Sequence, residues 1–246
     1  MKILRCLLLA CSLAASASAA STTVSFSSGG ETVSARYHVP EGGGPFPAVI
    51  LIHEWWGLNE WMEKRGEDLV KEGFVVLSVD LYRGKSTANA DEAHELMRGL
   101  PDDRALRDLS AAMDFLEKQS SVRNQKIGVV GWCMGGGLAL KLAIARKALA
   151  ACAVFYGSLP TDKEALAKIN CPVSGFFGAE DRGISTQDIK QFEQNMLSVE
   201  KKVTVKIYER AGHAFMNDTR PSYNEAASKD AWKRCMTFLS NTLKSN

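Results

Sequence analysis

Residues 127–136, with the sequence IGVVGWCMGG, join a predicted strand to a predicted helix and decide the fold. The apolar, β-branched run at residues 127–130 is typical of a buried strand, and the segment after it has helical spacing of its apolar residues. Gly131 and Gly135 lie two residues before and after Cys133, where a sharp turn leaves little room for a Cβ atom. This is the pattern of a nucleophile elbow, G-x-S-x-G, with cysteine in the place of serine.

A nucleophile at such a turn lies over the N-terminus of the following helix. Free N–H groups and the positive end of the helix dipole favour a thiolate at Cys133 and, later in a reaction, an oxyanion. The N–H of Met134 is therefore one predicted oxyanion donor. The motif is also compatible with an unreactive core cysteine beside a glycine-rich helix start, so its interpretation depends on the rest of the chain.

The 246-residue chain alternates apolar strands with amphipathic helices and is long enough for one α/β domain. After a hairpin, strands are predicted at residues 48–52, 74–79, 127–130, 150–156, 173–177 and 203–208, and the last helix is predicted to begin at Pro221. Fully apolar strands separated by helices predict a mostly parallel central sheet with helices on both faces. Neither an interior linker nor a repeat divides the sequence, so residues 21–246 are predicted to form a single domain.

An elbow nucleophile needs a base and an acid that orients the base, and both follow it along the chain in this fold class. His213 is the only histidine in the second half of the sequence, and it comes just after a predicted strand. Asp181 follows the preceding predicted strand, with Glu180 and Asp188 as nearby alternatives. Because parallel strands present their carboxyl ends at one edge of the sheet, we expect Cys133, Asp181 and His213 to form a catalytic triad.

The segment His53-Glu54-Trp55-Trp56-Gly57 follows an early apolar strand and has the position of an oxyanion loop. The N–H of Trp55 is the second predicted oxyanion donor. Glu54 is unusual here, because a carboxyl group beside two tryptophans is costly to bury without a partner. It either acts on the Cys133 thiol or forms a salt bridge with an arginine. Residue 57 is glycine, so the zinc-protease motif H-E-x-x-H is excluded, and we predict neither a metal nor a cofactor.

The first twenty residues have the composition of a secretory signal peptide. Lys2 and Arg5 precede an apolar stretch, and residues 17–19 fit an A-x-A cleavage site. We therefore expect export to the periplasm or the medium, with an anchor segment or lipidation at Cys11 as alternatives. Loss of Lys2 and Arg5 brings the formal charge from +2 to zero, which argues against a nucleic-acid or membrane-surface partner. No later run is long and apolar enough to predict a membrane span.

Four cysteines lie beyond this predicted leader: Cys133, Cys152, Cys171 and Cys235. Their wide spacing and the absence of C-x-x-C disfavour a disulfide scaffold or a zinc site. The last three are predicted to be core thiols, although export permits a Cys152–Cys171 bridge.

Five motifs together make the sequence resemble the dienelactone hydrolase family: HEWWG at 53–57, VDLY at 79–82, GWCMGG at 131–136, FGAED at 177–181 and AGHAF at 211–215. The resemblance implies an α/β-hydrolase fold without a large cap and a Cys133–His213–Asp181 triad. It also implies that Glu54 contacts the resting Cys133 and takes its proton as substrate binds. The family's type reaction opens the enol-lactone 4-carboxymethylenebut-2-en-4-olide to maleylacetate without a cofactor.

The sequence departs from the family pattern where arginines bind the substrate carboxylate. No arginine occurs at residues 214–217, shortly after His213, and Arg220 is further along the chain. Arg83 and Lys85 are the candidates after the VDLY motif. The reaction class is therefore better specified than the substrate.

Aromatic side chains are predicted to wall the pocket around Cys133, namely those of Trp55, Trp56, Tyr82 and Phe215, with Arg83 as a polar contact. Aromatic residues near strand ends are also often part of the core, and this alternative stays open. From these features we predict a monomeric hydrolase that opens a small ester or enol-lactone through a thioester acyl-enzyme. Two alternatives stay open: a secreted general carboxylesterase or thioesterase, and a non-catalytic binding protein on the same fold.

Overall fold

A computed structural model describes residues 21–245, so the predicted signal peptide lies outside the described residues. The strands are β1 (Ser21–Ser28), β2 (Glu31–His38), β3 (Phe46–Ile52), β4 (Val75–Val79), β5 (Val122–Trp132), β6 (Ala151–Phe155), β7 (Val173–Gly178) and β8 (Val203–Tyr208). The helices are α1 (Glu60–Lys71), α2 (Ala90–Arg98), α3 (Asp102–Glu117), α4 (Met134–Ala145), α5 (Lys163–Leu166), α6 (Thr186–Ser198) and α7 (Glu225–Leu239).

Within the described residues these strands form one sheet in the order β1-β2-β4-β3-β5-β6-β7-β8. The β1–β2 hairpin and the β2–β4 pair are antiparallel, and every pair from β4 to β8 is parallel. This confirms the predicted α/β fold with a mostly parallel sheet. No cap domain is inserted anywhere between residues 21 and 245.

Both faces of the sheet are covered, which explains why β3 and residues 127–132 of β5 are apolar at every position. In β3, Ile50 and Ile52 face one core and Val49 and Leu51 face the other, because side chains alternate along a strand. The first core is packed by α3, α4 and α6, and the second by α1 and α7. The central strands are thereby fixed at their carboxyl ends, where the site lies.

The parallel register brings the loops that follow β3 and β6 to the elbow. Ile52 at the end of β3 pairs with Gly131, and Phe155 at the end of β6 pairs with Trp132. The chain that leaves β3 and the chain that leaves β6 therefore flank Cys133 from opposite sides. At the far side of β7, Gly178 pairs with Tyr208, so the loops that follow β7 and β8 also lie together.

The last helix begins later than predicted. Pro221 lies in a turn, and α7 starts at Glu225 because the Asn224 side chain accepts a hydrogen bond from the free N–H of Ala227. The helix then continues into a π-helical turn at Ser240–Lys244. The residues before Asn224 are left to form a loop, and that loop reaches the site.

Candidate active site

The elbow has the strained geometry that its glycine spacing predicts. Cys133 has φ 54° and ψ −118°, between the end of β5 and the start of α4. A Cβ atom on Gly131 would lie 2.0 Å from the carbonyl oxygen of Gly135, and one on Gly135 would lie 2.4 Å from the carbonyl oxygen of Ile52. Only glycine allows these approaches, which hold the Cys133 side chain up from the sheet.

The structure brings the three predicted triad residues into one hydrogen-bonded chain. His213 Nε2 lies 3.1 Å from Cys133 Sγ, and His213 Nδ1 lies 2.7 Å from Asp181 Oδ2. The other Asp181 oxygen accepts the N–H groups of Gly183 and Ile184 at 2.8 and 3.2 Å. Because a carboxylate only accepts, Nδ1 donates to Asp181, and Nε2 faces the thiol.

The charges at this site favour a protonated imidazole between two acidic groups. Burial alone lowers the pKa of His213, but its hydrogen bonds to Asp181 and Cys133, with the charges of both, raise that pKa to about 10. Burial raises the pKa of Asp181, and the hydrogen bond and charge of His213 outweigh burial and lower it. A thiol proton transferred to His213 is therefore well accommodated.

Glu54 is buried beside this chain, with 1% of its surface exposed. Tyr156 Oη donates to its Oε1 at 3.2 Å, and Asn217 Nδ2 donates to its Oε2 at 2.6 Å. The contact with the resting Cys133 that the family resemblance implies does not occur among the hydrogen bonds of residues 21–245; the thiol instead contacts His213. Burial raises the pKa of Glu54, against the opposing hydrogen bonds of Asn217 and Tyr156 and the charges of His213 and Arg220.

Three functional neighbours of Glu54 were not predicted from the sequence. Tyr156 and Asn217 come from loops distant along the chain, and no local motif marks them. His53 lies in the HEWWG motif, yet its role was missed: its Nδ1 lies 2.6 Å from the Glu54 carbonyl oxygen, and its Nε2 accepts the Leu81 N–H at 3.3 Å. Burial lowers the pKa of His53, which favours a neutral ring. The two contacts of this ring hold the loop after β3 against the residues that follow β4.

The two predicted oxyanion donors belong to the elements on either side of Cys133. Met134 is the first residue of α4, and Trp55 follows Glu54 in the loop after β3. Within residues 21–245, neither backbone N–H has a hydrogen-bond partner. Free N–H groups at a helix start and at a neighbouring loop form a suitable anion site, since each can donate to a negative oxygen.

A cavity of about 400 Å³ opens over Cys133 and His213. Its walls are mainly apolar, with contributions from Met97, Leu100, Ala105, Met134, Leu138 and Ile184, and Tyr156 and Ser158 also reach it. An ion pair at its walls joins Lys141 Nζ to Asp102 Oδ2 at 2.6 Å, between α4 and α3. Both partners are partly exposed, with side-chain exposures of 43% and 74%.

The prediction that aromatic side chains wall this cavity is largely wrong. Phe215 has no exposed surface and packs against Tyr156 and Tyr208 in the core, because the loop after β8 turns it inward. Trp56 does not line the cavity; its ring is covered by the Arg220 guanidinium, 3.5 Å from the ring centroid. Tyr82 is 4% exposed and donates to the sulfur of Met134 at 3.3 Å, behind the cavity wall.

Arg83 is also directed elsewhere. Its guanidinium forms ion pairs with Asp108 at 2.6 Å and with Glu31 at 3.2 Å. Together with Tyr82, Lys85 and Arg104 it lines a separate groove of about 1230 Å³ next to the cavity. The buried charge of Asp108 explains this arrangement, since an unpaired carboxylate in the interior is strongly destabilising.

The remaining cysteines of the described chain, Cys152, Cys171 and Cys235, are buried free thiols, and no Cys152–Cys171 disulfide is formed. Burial raises the pKa of each of them.

Between residues 21 and 245, no group of three His, Cys, Asp or Glu side chains is arranged to hold a metal ion. No helix in the same part of the chain combines the length and apolarity needed to cross a membrane.

Comparisons with known proteins place the chain among lactone hydrolases by sequence. A relative from Saccharolobus solfataricus, named for carboxymethylenebutenolidase, is 32% identical over 255 residues, spanning 89% of this chain and 98% of its own. A relative from Bradyrhizobium sp., named for 2-oxo-3-(5-oxofuran-2-ylidene)propanoate lactonase, is 30% identical over 229 residues, spanning 88% of this chain and 92% of its own.

Solved structures with a similar fold include proteins named for dienelactone hydrolase. A Klebsiella pneumoniae structure named for dienelactone hydrolase superposes with a TM-score of 0.83 and 25% identity, covering 90% of this chain and 98% of that one. The dienelactone hydrolase-like phosphotriesterase P91 has the same fold, with a TM-score of 0.84 and 24% identity over 92% of this chain and 99% of its own. The model of the dienelactone hydrolase family matches residues 33–243, and the chain belongs to that family of ester and lactone hydrolases.

Proposed function

We propose that this hydrolase opens a small ester or enol-lactone through a thioester on Cys133. The observation that carries the proposal is the unbroken chain of hydrogen bonds from Cys133 Sγ through His213 to Asp181. A thiol, an imidazole and a carboxylate in this order form an activated nucleophile, a base and the group that orients the base.

In the first half of the reaction, the Cys133 proton passes to His213 Nε2 and the thiolate attacks the substrate carbonyl carbon. The N–H groups of Met134 and Trp55 hold the resulting oxyanion, and each such donor typically contributes about 3 kcal/mol. The carbon–oxygen bond of the ester then breaks. The leaving oxygen takes the proton from Nε2, and the acyl group stays on Sγ as a thioester.

In the second half, water attacks the thioester. His213 Nε2 accepts a proton from this water as its oxygen bonds to the acyl carbon, and the same two N–H groups hold the second oxyanion. Breaking of the carbon–sulfur bond releases the carboxylic acid, and the proton on Nε2 returns to the thiolate. Asp181 keeps the imidazole in one orientation through both halves.

The cavity favours a small, mostly apolar substrate. The names of the curated relatives refer to lactone hydrolysis, which supports an unsaturated lactone as the substrate. Neither Arg83 nor Arg220 lines the cavity, so Lys141 is the cation that an anionic substrate would meet there. The same absence of arginine supports the second candidate, a general carboxylesterase or thioesterase.

Hydrolysis of the dienelactone and of p-nitrophenyl acetate, measured side by side with wild type and Cys133→Ala, tests the proposal. Turnover of the lactone that is lost in the variant supports the lactonase. Turnover of the acetate alone, also lost in the variant, supports the general esterase. Hydrolysis that survives in Cys133→Ala would refute the cysteine mechanism, and hydrolysis of neither substrate by the wild type would favour a non-catalytic binding protein.

We further propose that the protein is exported, on the strength of the signal-like sequence at residues 1–20, and that it acts as a monomer. The mass of the protein from a periplasmic fraction should correspond to a chain beginning near Ser21. Light scattering during gel filtration should give the mass of one chain.

A further inference from the structure

One face of helix α4 lines the cavity well beyond the reacting thiol. Cys133, Met134, Gly137, Leu138 and Lys141 all contribute to the lining, which is the spacing of neighbouring positions on one side of a helix. Because an α-helix rises by about 1.5 Å per residue, the backbone of Lys141 lies roughly 12 Å along α4 from that of Cys133. A substrate that fills the cavity therefore reaches Lys141.

The lining of the cavity changes in character along this face. Met134 and Leu138 lie between Cys133 and Lys141 and are apolar, and Met97 of α2 adds a further apolar side chain. Among the residues from 21 to 245 that line the cavity, Lys141 is the only lysine or arginine. The cavity therefore presents apolar side chains next to the thiol and a cation at the far end of this helix face.

The hydroxyl of Ser158 lies against α4 one turn before Lys141. A Cβ atom on Gly137 would approach Ser158 Oγ to 2.3 Å, so the glycine leaves the space that this hydroxyl occupies. Ser158 comes shortly after β6, is exposed and lines the cavity. Since a hydroxyl can donate a hydrogen bond, Ser158 adds a donor between Cys133 and Lys141.

The ion pair of Lys141 leaves its ammonium group available to a ligand. Lys141 Nζ lies 2.6 Å from Asp102 Oδ2, and both side chains are partly exposed. An exposed ion pair contributes little to stability, and an ammonium group has several N–H donors. Side chains of a helix also tilt toward its N-terminus, which directs Lys141 back toward the turn of Gly137. Lys141 can therefore bind a second carboxylate near Ser158.

We propose that the cavity binds esters whose acyl group ends in a carboxylate, with this carboxylate between Ser158 Oγ and Lys141 Nζ and the reacting carbonyl at Cys133. The inference rests on the proposed role of Cys133 as the nucleophile. It names a substrate class for that role, the half-esters of aliphatic dicarboxylic acids.

The length of the acyl chain follows from the helix. Gly137 and Lys141 lie about 6 and 12 Å along α4 from Cys133. An extended chain advances about 1.2 Å per bond, because the three backbone bonds of one residue span about 3.3–3.6 Å. Roughly five to seven bonds between the two carbonyl carbons therefore bring the carboxylate to Ser158 and Lys141, whereas three bonds leave it short of both.

The test measures kcat/KM for the mono-4-nitrophenyl esters of succinic, adipic and suberic acid, in which three, five and seven bonds separate the carbonyl carbons. Each half-ester is compared with its neutral methyl ester, and the rate without enzyme is subtracted. The ratio of the two kcat/KM values isolates the effect of the terminal charge.

In the wild type we expect this ratio to be about tenfold higher for adipate and suberate than for succinate, as one hydrogen bond to a charged group provides. Lys141→Met should lower both ratios to the succinate value, and Ser158→Ala should lower them by less. The matched control is Lys147→Met, because Lys147 is an exposed lysine just beyond α4 that does not line the cavity. It should leave the ratios unchanged.

Ester hydrolysis with a ratio that does not depend on chain length would overturn the inference and leave the proposed hydrolase standing. Equal losses in Lys141→Met and Lys147→Met would also overturn it, since they would reflect net charge alone. If Lys141→Met does not fold, Lys141→Gln removes the same charge and must give the same loss.

A binding experiment separates this inference from the proposed function. The ketone 6-oxoheptanoate should slow the alkylation of Cys133 by iodoacetamide in the wild type more than its neutral amide does, and Lys141→Met should abolish the difference. Such a difference in a protein that hydrolyses no ester would support the binding site and refute the proposed hydrolysis. Equal protection by the acid and the amide would overturn the inference.

Discussion

Gly135, at the start of α4, lies directly against the carbonyl oxygen of Ile52, at the end of β3. A Cβ atom on Gly135 would approach this oxygen to 2.4 Å. The contact joins the elbow of Cys133 to the loop that carries Glu54 and Trp55. It is therefore the point at which the nucleophile and the predicted oxyanion site are held together.

Gly135→Ala should move α4 away from β3 and lower both stability and activity. Overpacking a tight site typically costs about 1–3 kcal/mol, which corresponds to roughly several degrees in Tm for a domain of this size. Thermal unfolding by circular dichroism measures the effect. Gly43→Ala is the control, since a Cβ on Gly43 has no atom within 4 Å. Equal Tm values for the two variants would contradict the packing argument.

Asp181→Asn should lower kcat by about ten-thousandfold, because loss of the orienting carboxylate leaves the imidazole in the wrong tautomer. Glu180→Gln and Asp188→Asn test the two other acids that the sequence offers for orienting His213. The Asp188 side chain caps α6 through Ser185, and neither acid contacts His213 through its side chain. Both variants should keep near wild-type kcat in a steady-state assay. A large loss in Glu180→Gln, with little in Asp181→Asn, would reverse the assignment.

The free energy of unfolding should decrease as the pH rises, over a range set by the pKa of His213. Its pKa rises from an ordinary value of 6.5 to about 10 in the folded chain, because its hydrogen bonds to Asp181 and Cys133 outweigh burial. The folded state therefore binds the proton more tightly than the unfolded state. The resulting stabilisation is complete below pH 6.5 and is lost as the pH rises through about 10.

Urea denaturation of wild type and His213→Gln at a series of pH values measures this contribution. The difference in unfolding free energy between the two proteins should be largest near pH 6 and should shrink steadily toward pH 10. A difference that stays constant, or grows, over this range would show that His213 is not held as the charged partner of Asp181.

The Lys141–Asp102 pair at the cavity should change the KM of substrates that carry a negative charge. For an ester with a distal carboxylate, Lys141→Met should raise KM severalfold, and Asp102→Asn should lower it, because the first removes the cation and the second frees it. A neutral ester of the same size is the control and should change by less than twofold. Changes of the same sign for both esters would show that the pair acts through structure alone.

The fold and the three main site residues could be predicted because their signals are local. A buried parallel strand is apolar at nearly every position, and the elbow needs glycine at two fixed places around Cys133. Asp181 and His213 follow strand ends, which parallel topology collects at one edge of the sheet. The predicted start of α7 at Pro221 is wrong because proline and asparagine are both common at helix starts. In the structure the Asn224 side chain caps the helix, which begins at Glu225.

The surroundings of Glu54 could not be predicted, because they are formed by tertiary contacts. Tyr156 and Asn217 are 102 and 163 residues away from it along the chain, and only the strand order brings them to it. Phe215 is part of a motif with His213, yet the next loop residues turn its ring into the core. Motifs therefore predicted which three residues lie together at the elbow, whereas the cavity walls depended on how the loops around it pack.

The central claim is that Cys133 carries the acyl group. Rapid quenching in acid during turnover of p-nitrophenyl acetate, followed by mass spectrometry of the digested protein, tests it most directly. The account predicts one acetyl group on the peptide that contains Cys133, lost again on the timescale of turnover and longer-lived in a His213→Gln variant that has been acylated. Turnover without any acetylated Cys133 peptide, or with the acetyl group on another residue, would contradict it.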